Sequence, residues 1–130
     1  MRPALHHVEL WTTDLTSSED AWDWLLKGIG WGHRDAWPGA RTWSHPDGSY
    51  LVLEQSPDVK DAPHDRLRAG LNHLAFTCAG VDVLDALRAE ASEHGWNELF
   101  ADKYPHAGGP THTALFLESD QGFEVEVVAS

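Results

Sequence analysis

Two short stretches of similar pattern constrain the fold of this chain most strongly: residues 5–10 (LHHVEL) and residues 71–76 (LNHLAF). Each alternates between its two faces as a half-buried strand does. Each precedes a helical stripe of apolar residues that ends in the pair Gly-Trp. His7 and His73 are 66 residues apart, and the tryptophans of the two Gly-Trp pairs are 65 apart. We interpret this agreement as an internal duplication.

The order of elements supports the same interpretation, because each half predicts a strand, a helix and three further strands. Each half contains one stripe of apolar residues at i, i+3, i+4 and i+7 or similar spacing. The stripe of the first half is Trp22, Leu25, Leu26 and Ile29, and that of the second half is Val83, Leu84, Leu87 and Ala91. A capping box, Thr16 to Glu19, is expected to start the first helix. We predict one α+β domain, residues 1–130, made of repeat modules 1–56 and 70–130 joined by a polar, proline-containing linker.

Charge and cysteine content exclude several classes of function. The formal net charge is −12, which repels nucleic acid and anionic lipid, so we expect neither as a partner. Cys78 is the single cysteine, so no internal disulfide and no thiolate zinc site can form. With no run of eighteen apolar residues and no targeting segment, a cytoplasmic location is expected.

Four polar residues on predicted strands suggest a metal site: His7, Glu54, His73 and Glu126. A single strand histidine is more often a packed residue than a ligand, and a single glutamate is usually solvated. Here each half supplies one histidine on its first strand and one glutamate on its last. Two imidazoles and two carboxylates suit a divalent metal that keeps open positions, namely iron, manganese, nickel, cobalt or zinc.

Three motifs carry a family resemblance: His7-Val8-Glu9-Leu10 leading to Asp14-Leu15, then Asn72-His73-Leu74-Ala75-Phe76, and Asp120-Gln121-Gly122-Phe123-Glu124-Val125-Glu126. On these motifs the sequence resembles the vicinal oxygen chelate superfamily, which includes glyoxalase I, extradiol dioxygenases, fosfomycin-resistance enzymes and bleomycin-binding proteins. The resemblance implies two βαβββ modules that form a curled mixed sheet around a cleft, with helices on the outside. It also implies His7, His73 and Glu126 as metal ligands, Glu54 as the fourth ligand of the glyoxalase I type, and a homodimer.

The function predicted from the resemblance is metal-dependent catalysis on a small oxygenated substrate held by two neighbouring oxygens. A lyase or isomerase is favoured, a ring-cleaving dioxygenase comes next, and either Glu126 or Glu54 serves as the base. Glyoxalase I usually has an arginine just after its first histidine to hold glutathione, whereas this chain has Glu9-Leu10-Trp11. Glu9 and Glu124 either make the cavity acidic, which would favour a neutral or cationic substrate, or lie in water at the strand ends.

The alternative is a non-catalytic protein that sequesters a cationic or aromatic drug, as bleomycin-resistance proteins do. The charge of −12 and the seven tryptophans motivate it. The weaker site candidates lie in or near a glycine-bearing loop, residues 103–110, that has the character of a lid. Tyr104 and His106 are the preferred supporting residues, whereas His112 is expected to be an ordinary surface histidine.

Overall fold

The structure, a computed structural model, describes residues 2–130. The chain divides into two compact units, Met1–Pro63 and His64–Ser130. Each unit contains one four-stranded mixed sheet and one α-helix in the order strand, helix, three strands. The predicted α+β fold of two βαβββ repeats is therefore confirmed.

The first unit is a sheet with the strand order β1-β4-β3-β2. Its elements are β1 (His7–Trp11), α1 (Leu15–Gly28), β2 (Gly32–Trp37), β3 (Ala40–Ser44) and β4 (Tyr50–Glu54). Strands β1 and β4 are parallel, while β3 is antiparallel to both of its neighbours. Helix α1 covers one face of the sheet, where the Trp43 indole nitrogen donates to Asp23 at 2.8 Å. The core on this face consists of Trp22, Leu25, Leu26, Trp43, Leu51 and Leu53.

The second unit repeats this topology with the strand order β5-β8-β7-β6. Its elements are β5 (His73–Cys78), α2 (Val81–Glu90), β6 (Trp96–Leu99), β7 (Ala114–Ser119) and β8 (Glu124–Ala129), with short 3-10 helices at Ala91–His94 and Ala101–Lys103. Strands β5 and β8 are parallel, as are β1 and β4 in the first unit. The buried residues are Leu84, Leu87, Leu115, Leu117, Val125 and Val127.

Local details differ from the sequence predictions at the ends of elements. Helix α1 begins two residues earlier than the capping box implies, because Asp14 is the N-cap residue and its carboxylate accepts from the Ser17 amide at 3.1 Å. The predicted box at Thr16 was therefore wrong. Asp competes well for this position since its side chain satisfies a free amide of the first turn. The predicted strand 50–54 matches β4 at both ends.

No helix within residues 2–130 combines the length and the apolar character that crossing a bilayer requires.

Candidate metal centre

The candidate site lies on the face of the second sheet that does not carry the apolar core. Residues that pair across neighbouring strands point to the same face, so the register defines two polar rows. In the first row His73 pairs with Glu124, and Glu124 pairs with Glu118. In the second row Ala75 pairs with Glu126, and Glu126 pairs with Phe116. Alternation along β5 and β8 thus places His73, Glu124 and Glu126 together.

Glu126 lies between two imidazoles. Its Oε1 is 3.2 Å from His73 Nε2, and its Oε2 forms a short contact with His112 Nε2. The carboxylate is buried, with 9% of its side chain exposed, whereas the two imidazoles are 34% and 41% exposed. A row of imidazole nitrogens and carboxylate oxygens this close together is stable only when a proton or a metal cation lies between neighbouring lone pairs.

Glu124, the second buried carboxylate, forms an ion pair with Arg66. The Arg66 guanidinium donates to Glu118 at 2.7 Å through Nε and to Glu124 at 3.2 Å through Nη1. The hydrogen bond to Glu118, followed by the charges of both glutamates, raises the pKa of Arg66 above its usual value. Arg66 lies in the part of the sequence between β4 and β5, within the second unit, so this linker segment contributes directly to the site.

His112 precedes β7 and is held by the loop before it. The Pro105 carbonyl accepts from the Ala114 amide at 2.9 Å, and His106 Nδ1 lies 3.3 Å from the His112 carbonyl. A Cβ atom built on Gly108 would lie 2.5 Å from His112 Cδ2, so the ring packs directly on the glycine backbone. An ordinary surface histidine was the favoured expectation at this position, but the half-exposed His112 ring contacts the buried carboxylate of Glu126.

The supporting role predicted for Tyr104 takes a different form. Its hydroxyl donates to Asp85 on α2 at 2.6 Å, and the Arg88 guanidinium lies 4.3 Å from its ring centroid. Burial and then the hydrogen bond to Asp85 raise the pKa of Tyr104, so the phenol stays protonated. Tyr104 therefore ties the start of the 104–112 loop to α2, while His106 contacts the backbone of His112.

In the first unit, His7 lies at the start of β1. Its ring stacks on Tyr50, with centroids 4.7 Å apart and planes 8° from parallel, and its Nδ1 is 2.8 Å from His6 Nδ1. His7 pairs with Tyr50 in the sheet just as His73 pairs with Glu124. The two histidines are thus equivalent positions of the duplicated fold, as the sequence predicted.

Glu54 lies at the other end of the same strand pair, where it pairs with Trp11. Glu54 is four positions beyond Tyr50, the partner of His7, and this offset corresponds to about 13 Å along the strands. Because Glu126 lies two residues beyond the partner of His73, its equivalent in the first sheet is Val52 rather than Glu54. The duplication alone does not make Glu54 the counterpart of Glu126, and its role as a ligand stays a prediction.

The donor set around Glu126 fits a divalent metal. Imidazole and carboxylate without thiolate suit zinc, iron, manganese, nickel or cobalt. Elsewhere the described residues contain a tighter group, Glu90, Glu93 and His94, with ligand atoms within 4.8 Å of one another. Both of its glutamates are exposed, and exposed acidic groups of this kind are common without an ion. We prefer the site at Glu126 because its carboxylate is buried and faces two imidazoles.

Comparison with known proteins decides the family. The sequence model of the Glyoxalase/Bleomycin resistance protein/Dioxygenase superfamily matches residues 6–116. The chain belongs to this superfamily. The matched range includes β1, α1, β5 and the His112 loop, and it ends within β7, before Glu124 and Glu126.

Individual relatives agree with this assignment. The chain is 36% identical over 126 residues to the uncharacterized protein YqjT of Bacillus subtilis, with 96% of this chain and 98% of that protein covered. It is also similar to the crystal structure of a candidate glyoxalase from Bacillus halodurans, at 38% identity and a TM-score of 0.89, with 98% and 96% of the two chains covered. A fosfomycin resistance protein, FosX from Listeria monocytogenes, shares the fold at 13% identity and a TM-score of 0.63, with 100% and 93% covered.

Proposed function

We propose that this protein is a metal-dependent enzyme of the superfamily, a lyase or isomerase that acts on a small oxygenated substrate. The observation that carries the proposal is the buried carboxylate of Glu126 between the imidazoles of His73 and His112. Members of this superfamily are typically metal-dependent and bind small molecules, and they often form dimers, so a homodimer is part of the proposal.

The proposed ligands are His73 and Glu126, with the predicted ligands His7 and Glu54 retained as the other members of the set. His73 Nε2 and Glu126 Oε1, 3.2 Å apart, are the pair whose geometry supports ligation most directly. A bound divalent ion would supply Lewis acidity to two neighbouring substrate oxygens.

Glu126 is also our preferred base. Burial keeps water from competing for its oxygens, and Oε2 already contacts His112 Nε2. His112 Nε2–H donates to Oε2 of the ionised carboxylate and holds it in place, and a proton that Glu126 takes from one substrate carbon is returned to the neighbouring carbon, as an isomerase requires. In this proposal His112 is the group that orients Glu126 for proton transfer.

The neighbouring charges constrain the substrate. The single charge of Arg66 offsets only one of the two charges of Glu118 and Glu124, and within residues 2–130 no arginine forms an ion pair with Glu9, which lies exposed on β1. We therefore propose a neutral or cationic substrate rather than glutathione. A ring-cleaving dioxygenase acting on catechols is the second option within the enzyme class.

The first test is metal analysis of the purified protein and its variants. About one divalent ion per chain is expected, with strong loss in His73→Ala and in Glu126→Gln and no change in the surface control His33→Ala. His7→Ala and Glu54→Gln test the two remaining ligands separately. A wild-type protein that neither carries nor takes up a divalent metal would refute the proposal.

The second test separates the reactions. An oxygen electrode with catechol substrates detects a dioxygenase, while loss of α-keto aldehyde adducts of small neutral thiols detects an isomerase. Under our proposal the isomerase reaction falls strongly in Glu126→Gln, and His112→Ala slows turnover more than it weakens substrate binding. Consumption of oxygen with catechols would instead favour the second option.

A second candidate function is sequestration of a cationic aromatic compound. The observation that favours it is that Trp11 and Trp37 are 44% and 45% exposed, and that the Trp11 indole donates to Glu9 at 2.6 Å. Exposed indoles beside carboxylates attract organic cations. Calorimetry of metal-free protein with cationic glycopeptides tests it, and the absence of heat would argue against it.

A further inference from the structure

The two first-strand histidines share one supporting feature, which is a side-chain partner for Nδ1 supplied by the preceding residue. His73 Nδ1 is 2.7 Å from Asn72 Oδ1. His7 Nδ1 is 2.8 Å from His6 Nδ1. Because the same 66-residue offset relates Asn72 to His6 and His73 to His7, these partners occupy equivalent positions of the duplicated fold.

The orientation of the Asn72 amide follows from its second hydrogen bond. Its Nδ2 donates to the Arg66 carbonyl at 3.0 Å, which leaves Oδ1 facing His73. An amide oxygen can only accept, so His73 Nδ1 must carry the hydrogen. In a neutral imidazole the lone pair then lies on Nε2, the nitrogen that faces Glu126.

The remaining group near His73 Nδ1 favours the same tautomer. Glu124 Oε2 lies 4.0 Å from this nitrogen, while Arg66 engages the other oxygen of Glu124. Both neighbours of Nδ1 are therefore acceptors, and Arg66 contacts both of them, one through its carbonyl and one through its guanidinium. This gives the short linker segment a positioning role.

His6 differs from Asn72 in one respect that matters. An imidazole nitrogen can donate or accept, so His6 does not by itself dictate the tautomer of His7. The His7 ring plane is instead held by its parallel stacking on Tyr50. The first unit therefore fixes the orientation of its histidine ring but not which ring nitrogen carries the hydrogen, whereas the second unit fixes both.

We propose that Asn72 is a positioning residue that fixes the Nδ1–H tautomer of His73 and presents Nε2 for ligation, and that His6 is its less selective counterpart for His7. The use of Nε2 as a metal ligand depends on the function proposed above, but the choice of tautomer does not. The proposal extends to the linker, because Arg66 orients the Asn72 amide.

The test measures the ring nitrogens of His73 by NMR in metal-free, ¹⁵N-labelled protein above the ordinary histidine pKa. The wild type is expected to show Nδ1 protonated, with Nε2 sharing a proton with Glu126 in the absence of metal. Asn72→Leu should move the hydrogen of His73 from Nδ1 to Nε2, where the Glu126 carboxylate accepts it, whereas Asn72→Asp, which keeps an acceptor oxygen, should keep Nδ1 protonated. Asn72 is exposed, so neither change removes a core contact. Asn97→Leu, at an exposed asparagine on β6, is the matched control.

Metal affinity supplies the second readout. Loss of such a supporting hydrogen bond typically weakens metal binding about 10–100-fold, so Asn72→Leu should do so while Asn72→Asp and Asn97→Leu stay near wild type. A wild-type His73 that is unprotonated on Nδ1, or an Nδ1–H that is retained in Asn72→Leu, would overturn the inference. If the wild type binds no metal but shows the expected tautomers, the function proposed above fails and the positioning role stands.

Discussion

Gly108→Ala tests whether loop packing is what holds His112 against Glu126. The added Cβ would lie 2.5 Å from His112 Cδ2, closer than side chains tolerate, so the ring must turn away from the carboxylate. Gly108 does not have a left-handed backbone conformation, so alanine fits its backbone. Any decrease in the free energy of unfolding therefore comes from displacing the His112 imidazole.

The magnitude follows from two opposing contributions. A hydrogen bond to a charged group contributes about 1.5–3 kcal/mol, while replacing glycine by alanine stabilises by about 0.4–1 kcal/mol through the unfolded chain. Because the His112 side chain is 41% exposed, water replaces part of the lost bond. We expect the free energy of unfolding to fall by about 1 kcal/mol.

Urea unfolding in two backgrounds provides the assay. In wild type Gly108→Ala should destabilise, whereas in His112→Ala, where the ring is absent, the same change should be neutral or stabilising. Gly32→Ala, at a glycine with nothing within 4 Å and no left-handed backbone, is the control. An equal cost in both backgrounds would refute the reasoning, because the effect would then not pass through His112.

Two further predictions concern stability. Gly122→Ala places a Cβ 2.0 Å from the His64 carbonyl oxygen at a backbone φ of +89°. It should therefore lower the unfolding free energy more than the control Gly30→Ala, because Gly30 has a similar φ of +96° but open space around it. Equal urea midpoints for the two variants would contradict this. For Asp23, burial favours the neutral acid, but hydrogen bonds from Lys27 and Trp43 outweigh it and lower the pKa. The stability that Asp23 contributes is therefore fully present above the ordinary carboxyl pKa of about 3.9 and is lost as the pH falls through the lower pKa of the folded state. Asp23→Asn should flatten this acid dependence when unfolding curves are measured at several pH values.

Local patterns in the sequence were sufficient to predict the elements of the fold. Alternation identified the strands around His7 and His73 and the faces of their side chains, because a strand side chain depends only on the period of its own backbone. The apolar stripes identified α1 and α2, because the face of a helical side chain likewise depends only on the period of its own backbone. The N-cap was less certain, since Asp14 and Thr16 both suit that position and only the helix geometry selects one.

The candidate site depended on contacts between residues far apart in the chain. Alternation in the two strands predicted that His73 and Glu126 share a face, and the structure places His73 Nε2 3.2 Å from Glu126 Oε1. The short contact between His112 and Glu126 was not, because it depends on a loop conformation that Gly108 permits through close packing. A histidine just before a strand, following a glycine-rich loop, was the only local signal.

The sequence by itself determined that the chain is a duplicated βαβββ protein with a histidine on the first strand of each repeat, because periodicity and repetition are local properties. Only the tertiary structure decided the strand register, which gives Val52 and not Glu54 the position equivalent to Glu126. It also decided that Arg66 bridges Glu118 and Glu124. Register and long-range ion pairs follow from the packing of whole sheets, and no local pattern contains that information.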